Sequence, residues 1–116
     1  MICMAMLTRL ADALNSAGIP AYLPGRAPGE CRTAHAVVAD GGRDRTGKTT
    51  GRRMYYITAY VPEQRPGDLN ALVRRISDAA VAVREVRETG NVSEAGFDDD
   101  KKAYCATVEL YALCAI

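Results

Sequence analysis

A chain of 116 residues, 48% hydrophobic and 25% charged, fits one globular domain and is too short for the several βα units a nucleoside triphosphatase usually builds. A net charge of +1 gives no global attraction to nucleic acid or an anionic membrane, so any electrostatic role must be local. No apolar run approaches the length of a membrane-spanning helix, and Met1-Ile2-Cys3-Met4-Ala5-Met6-Leu7 lacks the charged n-region and cleavage site of a signal peptide, so a cytosolic setting is expected.

Leu7, Leu10, Ala11 and Leu14 follow the i, i+3, i+4, i+7 rhythm of a one-sided helix over about residues 3–17, which Gly18 and Pro20 stop. Residues 19–23 suit a short extended segment, and 25–30 a loop. A strand is expected over about 31–39 and another over 52–61. In the second, Met54, Tyr56, Thr58 and Tyr60 alternate with Tyr55, Ile57, Ala59 and Val61. Neither of its faces is strongly polar, so both are expected to be covered. Asp68 is a good N-cap for a helix over 68–80 with Leu69, Leu72, Val73, Ile76 and Ala80 on one stripe. Residues 81–88 read as a third strand, 89–100 as a loop and 101–113 as a fourth strand. That last strand sets Tyr104, Ala106, Val108, Leu110 and Ala112 against Cys105, Thr107, Glu109 and Tyr111. The pattern predicts an α+β domain: an antiparallel sheet of about four strands with two helices on one face, in the order α-(β)-β-β-α-β-β.

Cys3, Cys31, Cys105 and Cys114 have no C-x-x-C spacing, and His35 is the only histidine, so zinc is not expected. Reduced, mostly buried thiols fit better than disulfides. His35 lies in a strand-like run with no catalytic partner nearby in sequence, which favours a structural role over a general base.

Residues 42–49, Gly-Arg-Asp-Arg-Thr-Gly-Lys-Thr, complete the G-x-x-x-x-G-K-[ST] pattern of a phosphate loop. A working loop leads directly into a helix whose N-terminus helps to hold the phosphates. Here a β-branched and aromatic run follows, so the pattern reads as a glycine-rich basic connection between antiparallel strands. Nucleotide binding is accordingly the least supported reading.

Two segments are charged. Residues 40–53 carry Arg43, Arg45, Lys48, Arg52 and Arg53 against Asp40 and Asp44, a net +3. Residues 88–100 carry Glu88, Glu94, Asp98, Asp99 and Asp100 with no basic residue, a net −5. The aspartate run reads as a solvated turn, with a divalent-ion site as the sharper alternative; adjacent side chains diverge, however, and no ligand spacing is present. The basic segment lacks interleaved aromatics for base stacking, so sequence-specific nucleic-acid recognition is not supported. A third possibility uses both: opposite potentials meeting head to tail between identical subunits, a heterologous contact that closes into a ring when the rotation permits. Arg43, Arg45, Lys48, Arg52, Arg53, Asp98, Asp99 and Asp100 are thus the candidate assembly contacts.

The segment Ala17-Gly18-Ile19-Pro20-Ala21-Tyr22, the strand ending in Tyr60-Val61, the Leu69 to Ile76 helix, Glu88-Thr89-Gly90 and Asp98-Asp99-Asp100-Lys101-Lys102-Ala103-Tyr104 with its closing strand resemble small tail terminator or tail completion proteins of tailed bacteriophages. The resemblance covers most of the chain in layout. It implies a structural virion protein at the head–tail junction, made in the host cytoplasm and assembled as a ring, commonly hexameric. Such a ring caps the tail tube, stops its polymerisation and presents a surface to head–tail connector proteins, with DNA passing near its lumen. No enzyme activity, cofactor or membrane partner is implied. Another small head–tail connector or minor capsid component, and a monomeric small-molecule or peptide-binding module, are the alternatives.

Overall fold

Helix α1 (Ile2–Ser16) buries Met6, Leu7, Leu10, Ala11 and Leu14 on one stripe. It ends in a Schellman turn: Gly18, at φ 83°, donates to Asn15 O and Ile19 donates to Leu14 O, which satisfies the last carbonyls. The Asn15 side chain then accepts from Ala21 N at 3.2 Å, fixing the reversal into strand β1 (Ala21–Tyr22). The computed structural model describes residues 2–27, 29–45 and 50–115.

Strand β1 runs parallel to β2 (His35–Arg45), which pairs antiparallel with β3 (Thr50–Pro62). Strand β3 pairs in unbroken antiparallel register with β6 (Ala103–Ala115), from Thr50↔Ala115 to Pro62↔Ala103. Strand β4 (Val86–Val92) and the short β5 (Gly96–Asp98) lie along the other edge of β6. A ladder of 13 residues rising about 3.3 Å per residue spans roughly 40 Å, and it accounts for most of the 48 Å long axis.

Helix α2 (Leu69–Val81) follows a single 3₁₀ turn at Pro66–Asp68. Its Leu69, Leu72, Ile76 and Ala80 join the α1 stripe and the Ile57, Ala59, Val61, Val108 and Leu110 side of the sheet in one buried cluster. Both helices therefore cover the same face. Each large aliphatic side chain buried there contributes about 1.5–3 kcal/mol.

The chain is α+β, but the sheet is six-stranded and mixed rather than an antiparallel sheet of about four strands. The element order is α-β-β-β-α-β-β-β. The short extended segment expected over 19–23 forms as β1, and the first difference is its direction: it pairs parallel to β2 because the Schellman turn returns the chain alongside that strand. The segment expected to be strand from 81 to 88 begins as helix, which continues through Val81, and β4 starts at Val86 after a turn closed by Val86 N on Val83 O. Residues 89–100 are not all loop. Strand β4 runs on to Val92 and β5 forms at 96–98, because β6 is long enough to offer partners along its whole edge. Likewise, β2 starts at His35 and runs to Arg45, so much of the basic 40–53 segment is hairpin. Asp68 occupies the N-cap position without a side-chain capping bond; its carboxylate instead accepts from Arg65 Nε at 2.7 Å.

Candidate functional site

The register of the sheet places the basic 40–53 segment toward one end of the domain and the Asp98-Asp99-Asp100 turn at the other, whereas Glu88, paired with Leu110, lies toward the basic end. Arg52 and Arg53 pair with Leu113 and Ala112, near the end of β6, and Arg43 and Arg45 face Arg53 and Gly51 across the β2–β3 ladder. Asp98 pairs with Ala103, the first residue of β6, and Asp99 and Asp100 form the turn before it. About ten residues of extended β6 separate the groups, or roughly 33 Å. Lys48 lies outside the described residues. The residue after Thr49 opens strand β3 rather than a helix, so the 42–49 pattern lacks the helix N-terminus that phosphate binding requires.

The basic end is held by its own acid. Arg53 Nε donates to both Asp40 carboxylate oxygens, at 3.1 and 3.0 Å, and Nη2 donates to Oδ2 at 2.6 Å. Asp40 Oδ1 also accepts from Gly42 N at 2.8 Å, so one carboxylate bridges the β-bulge at Gly41 and grips the neighbouring strand. Arg53 therefore has a structural role in holding the bulge. The Arg52 guanidinium sits 5.7 Å from the centre of the Tyr111 ring.

At the acidic end, Asp98 Oδ1 accepts from the amides of Asp100 and Lys101, at 3.0 and 3.1 Å. That carboxylate shapes the turn. Asp99 and Asp100 are exposed and carry the outward charge. Among the described residues, no group of three His, Cys, Asp or Glu side chains is placed to hold a metal ion.

Beside the acidic end, His35 is buried with 2% of its surface exposed. Its Nδ1 lies 2.9 Å from Thr33 O, which can only accept, so Nδ1 carries the proton and Nε2 is the bare nitrogen. The ring stacks on Tyr60 at 5.2 Å and meets Tyr22 edge-on at 5.5 Å. Burial lowers its pKa; the Thr33 hydrogen bond opposes this and Lys101 adds to it. Cys31 Sγ lies 3.7 Å from Nδ1, and burial raises the thiol's pKa, as it does that of Cys105. Both thiols are thus held protonated, which suits packing and not nucleophilic attack. A hollow of about 550 Å³ opens next to His35, between Pro20, Tyr22, Glu30, Arg32 and Thr33.

The sheet face away from the helices was not singled out from the sequence as a site. It carries Val37, Tyr56, Thr58, Thr107, Glu109 and Tyr111, all half-buried by one another, with Thr58 and Thr107 hydroxyls 3.0 Å apart. The alternation of β3 and β6 gave the signal, since neither strand has a polar face. The corner over His35 is roofed by the chain around Cys31, whose amide donates to Lys101 O.

No family model matches the chain, and no curated protein matches it significantly.

Proposed function

We propose that this chain is a structural assembly protein that associates head to tail into a closed ring, in the manner of the tail terminator proteins of tailed phages that it resembles. One observation carries the reading: an elongated domain bears its basic segment at one end and, at the other, the Asp98-Asp99-Asp100 turn, whose three negative charges outnumber the two positive ones of Lys101 and Lys102 that follow. A head-to-tail contact between copies brings opposite potentials together, which fixes orientation and register, and closure of such a contact gives a ring. In this reading the ring caps a tail tube and offers its other rim to head–tail connector proteins. The protein works through surfaces, without a cofactor.

Reversing the acidic turn with Asp99→Lys and Asp100→Lys is expected to abolish the higher assembly, and mixing that variant with an Arg43→Glu, Arg45→Glu chain is expected to restore it as a mixed species. Loss without rescue removes the charge-matched contact. A second reading, a monomeric binding module, draws on the hollow beside His35. It predicts saturable uptake of a small molecule by single chains and no effect of the turn reversal.

A further inference from the structure

Both helices pack on one side of the sheet, and among the described residues no helix covers the other side of strands β2, β3, β6 and β4. Strands of 11, 13, 13 and 7 residues, rising about 3.3 Å per residue and about 4.8 Å apart, make a face of about 700 Å², less the roofed corner at His35. That is close to the roughly 800 Å² per partner of a standard protein–protein interface. Its side chains are tyrosine, threonine and valine with Glu109 as the charge near the middle, the composition of an interface centre. Midway along the β3–β6 ladder, at the Tyr56↔Glu109 pair, lies a hollow of about 350 Å³ lined by Tyr56, Asn91, Val92, Ser93, Thr107 and Glu109. Leu113, at 68% exposure, adds apolar surface on the same face as Tyr111.

We propose that this face is a dimer surface on which a second copy of the chain packs antiparallel, about a twofold axis near Tyr56. Charge selects that occupant. An antiparallel copy lays its basic 40–53 segment, net +3, beside this copy's Asp98-Asp99-Asp100 turn, which stays net negative after Lys101 and Lys102 are counted, and the reverse at the far side, so opposite charges meet at each end. A parallel copy sets like charges together at both ends. The two central hollows face each other, and sheets so packed lie about 10 Å apart with strands nearly aligned. Glu109 is the cost of this arrangement, because a twofold axis brings the two carboxylates near one another. The inference uses the placement of the charged ends but does not depend on the phage reading. In a ring-forming protein the dimer occupies the same ends the ring needs, and so holds back premature assembly.

The test is light scattering and sedimentation of the full chain from about 1 μM to about 1 mM, with circular dichroism on every variant. The wild type is expected to approach twice the 12.5 kDa chain mass. Tyr56→Glu is expected to weaken the dimer about tenfold or more, as loss of a central aromatic anchor does. Leu113→Glu, at an exposed position that folding does not need, is expected to weaken it severalfold. Glu109→Gln is expected to tighten it by removing the like-charge pair. Phe97→Ser, at the β5 edge, leaves it unchanged. Single-chain mass throughout overturns the proposal, as does a dimer indifferent to both Tyr56→Glu and Leu113→Glu. A six-chain species that forms equally well with Tyr56→Glu, with no dimer at lower concentration, overturns it while leaving the ring reading intact.

Discussion

Gly41→Ala tests the packing at the middle of the helix-free face. Gly41 is the extra residue of the β2 bulge, between the Asp40↔Tyr55 and Gly42↔Met54 pairs. A Cβ there falls 1.9 Å from Tyr56 Cε2, 2.7 Å from Cδ2 and 3.0 Å from Cζ, so the ring must swing away. Gly41 does not itself need a positive φ; Gly42, at φ 94°, does. The cost is therefore steric displacement of one aromatic ring, about 2 kcal/mol by comparison with overpacked sites. In thermal unfolding of a domain this size that is a fall in Tm of roughly 6–12 °C. The decisive assay is a double-mutant cycle by urea unfolding. In a Tyr56→Ala background there is no ring to displace, and Gly41→Ala is expected to cost only a few tenths of a kcal/mol or to stabilise slightly through the unfolded chain (about 0.4–1 kcal/mol). An equal cost in both backgrounds would refute the reasoning and assign the effect to the bulge backbone.

Asp98→Ala is expected to destabilise by about 1–2 kcal/mol in urea, since two turn amides lose their acceptor, whereas Asp99→Lys with Asp100→Lys stays within about 0.5 kcal/mol and acts on assembly alone. Asp40→Ala strands Arg53 and opens the bulge; a loss of about 2–3 kcal/mol is expected, and Asp40→Asn, which still accepts from Gly42, loses less. Burial holds the folded-state pKa of His35 below the unfolded value near 6.5, so the unfolded chain binds the extra proton. Stability from this group is whole above about pH 6.5 and is lost as pH falls from there through the depressed folded-state pKa; His35→Phe is expected to flatten that part of the stability–pH curve.

Both helices and the faces of β3 and β6 were legible because they depend on local periodicity. Leu7, Leu10, Ala11 and Leu14 are buried as their spacing requires, and the alternation from Tyr55 to Val61 divides the sheet's two sides correctly. The missed elements are those that neighbours impose. The expected third strand overlaps β4 at Val86-Arg87-Glu88, but its continuation Thr89-Gly90-Asn91-Val92 has little strand propensity and is extended because the edge of β6 runs beside it. Gly41-Gly42-Arg43-Asp44-Arg45 reads as loop, yet pairing with β3, a bulge and the Asp40 bridge hold it extended. The charges of the candidate site were visible as composition, but their placement at opposite ends followed only from the register. Sequence also could not reveal that Arg53 and Asp98 are occupied in holding the bulge and the turn, because their partners are backbone amides and a carboxylate on another strand.

The most direct test of head-to-tail assembly is electron microscopy of the largest species in three samples: wild type, Asp99→Lys with Asp100→Lys, and the latter mixed with Arg43→Glu, Arg45→Glu chains. The account predicts closed rings of the wild type, none from the acidic-turn variant alone, and rings again from the mixture. Rings from the acidic-turn variant alone, or none from the wild type even on tail-tube ends, would contradict it.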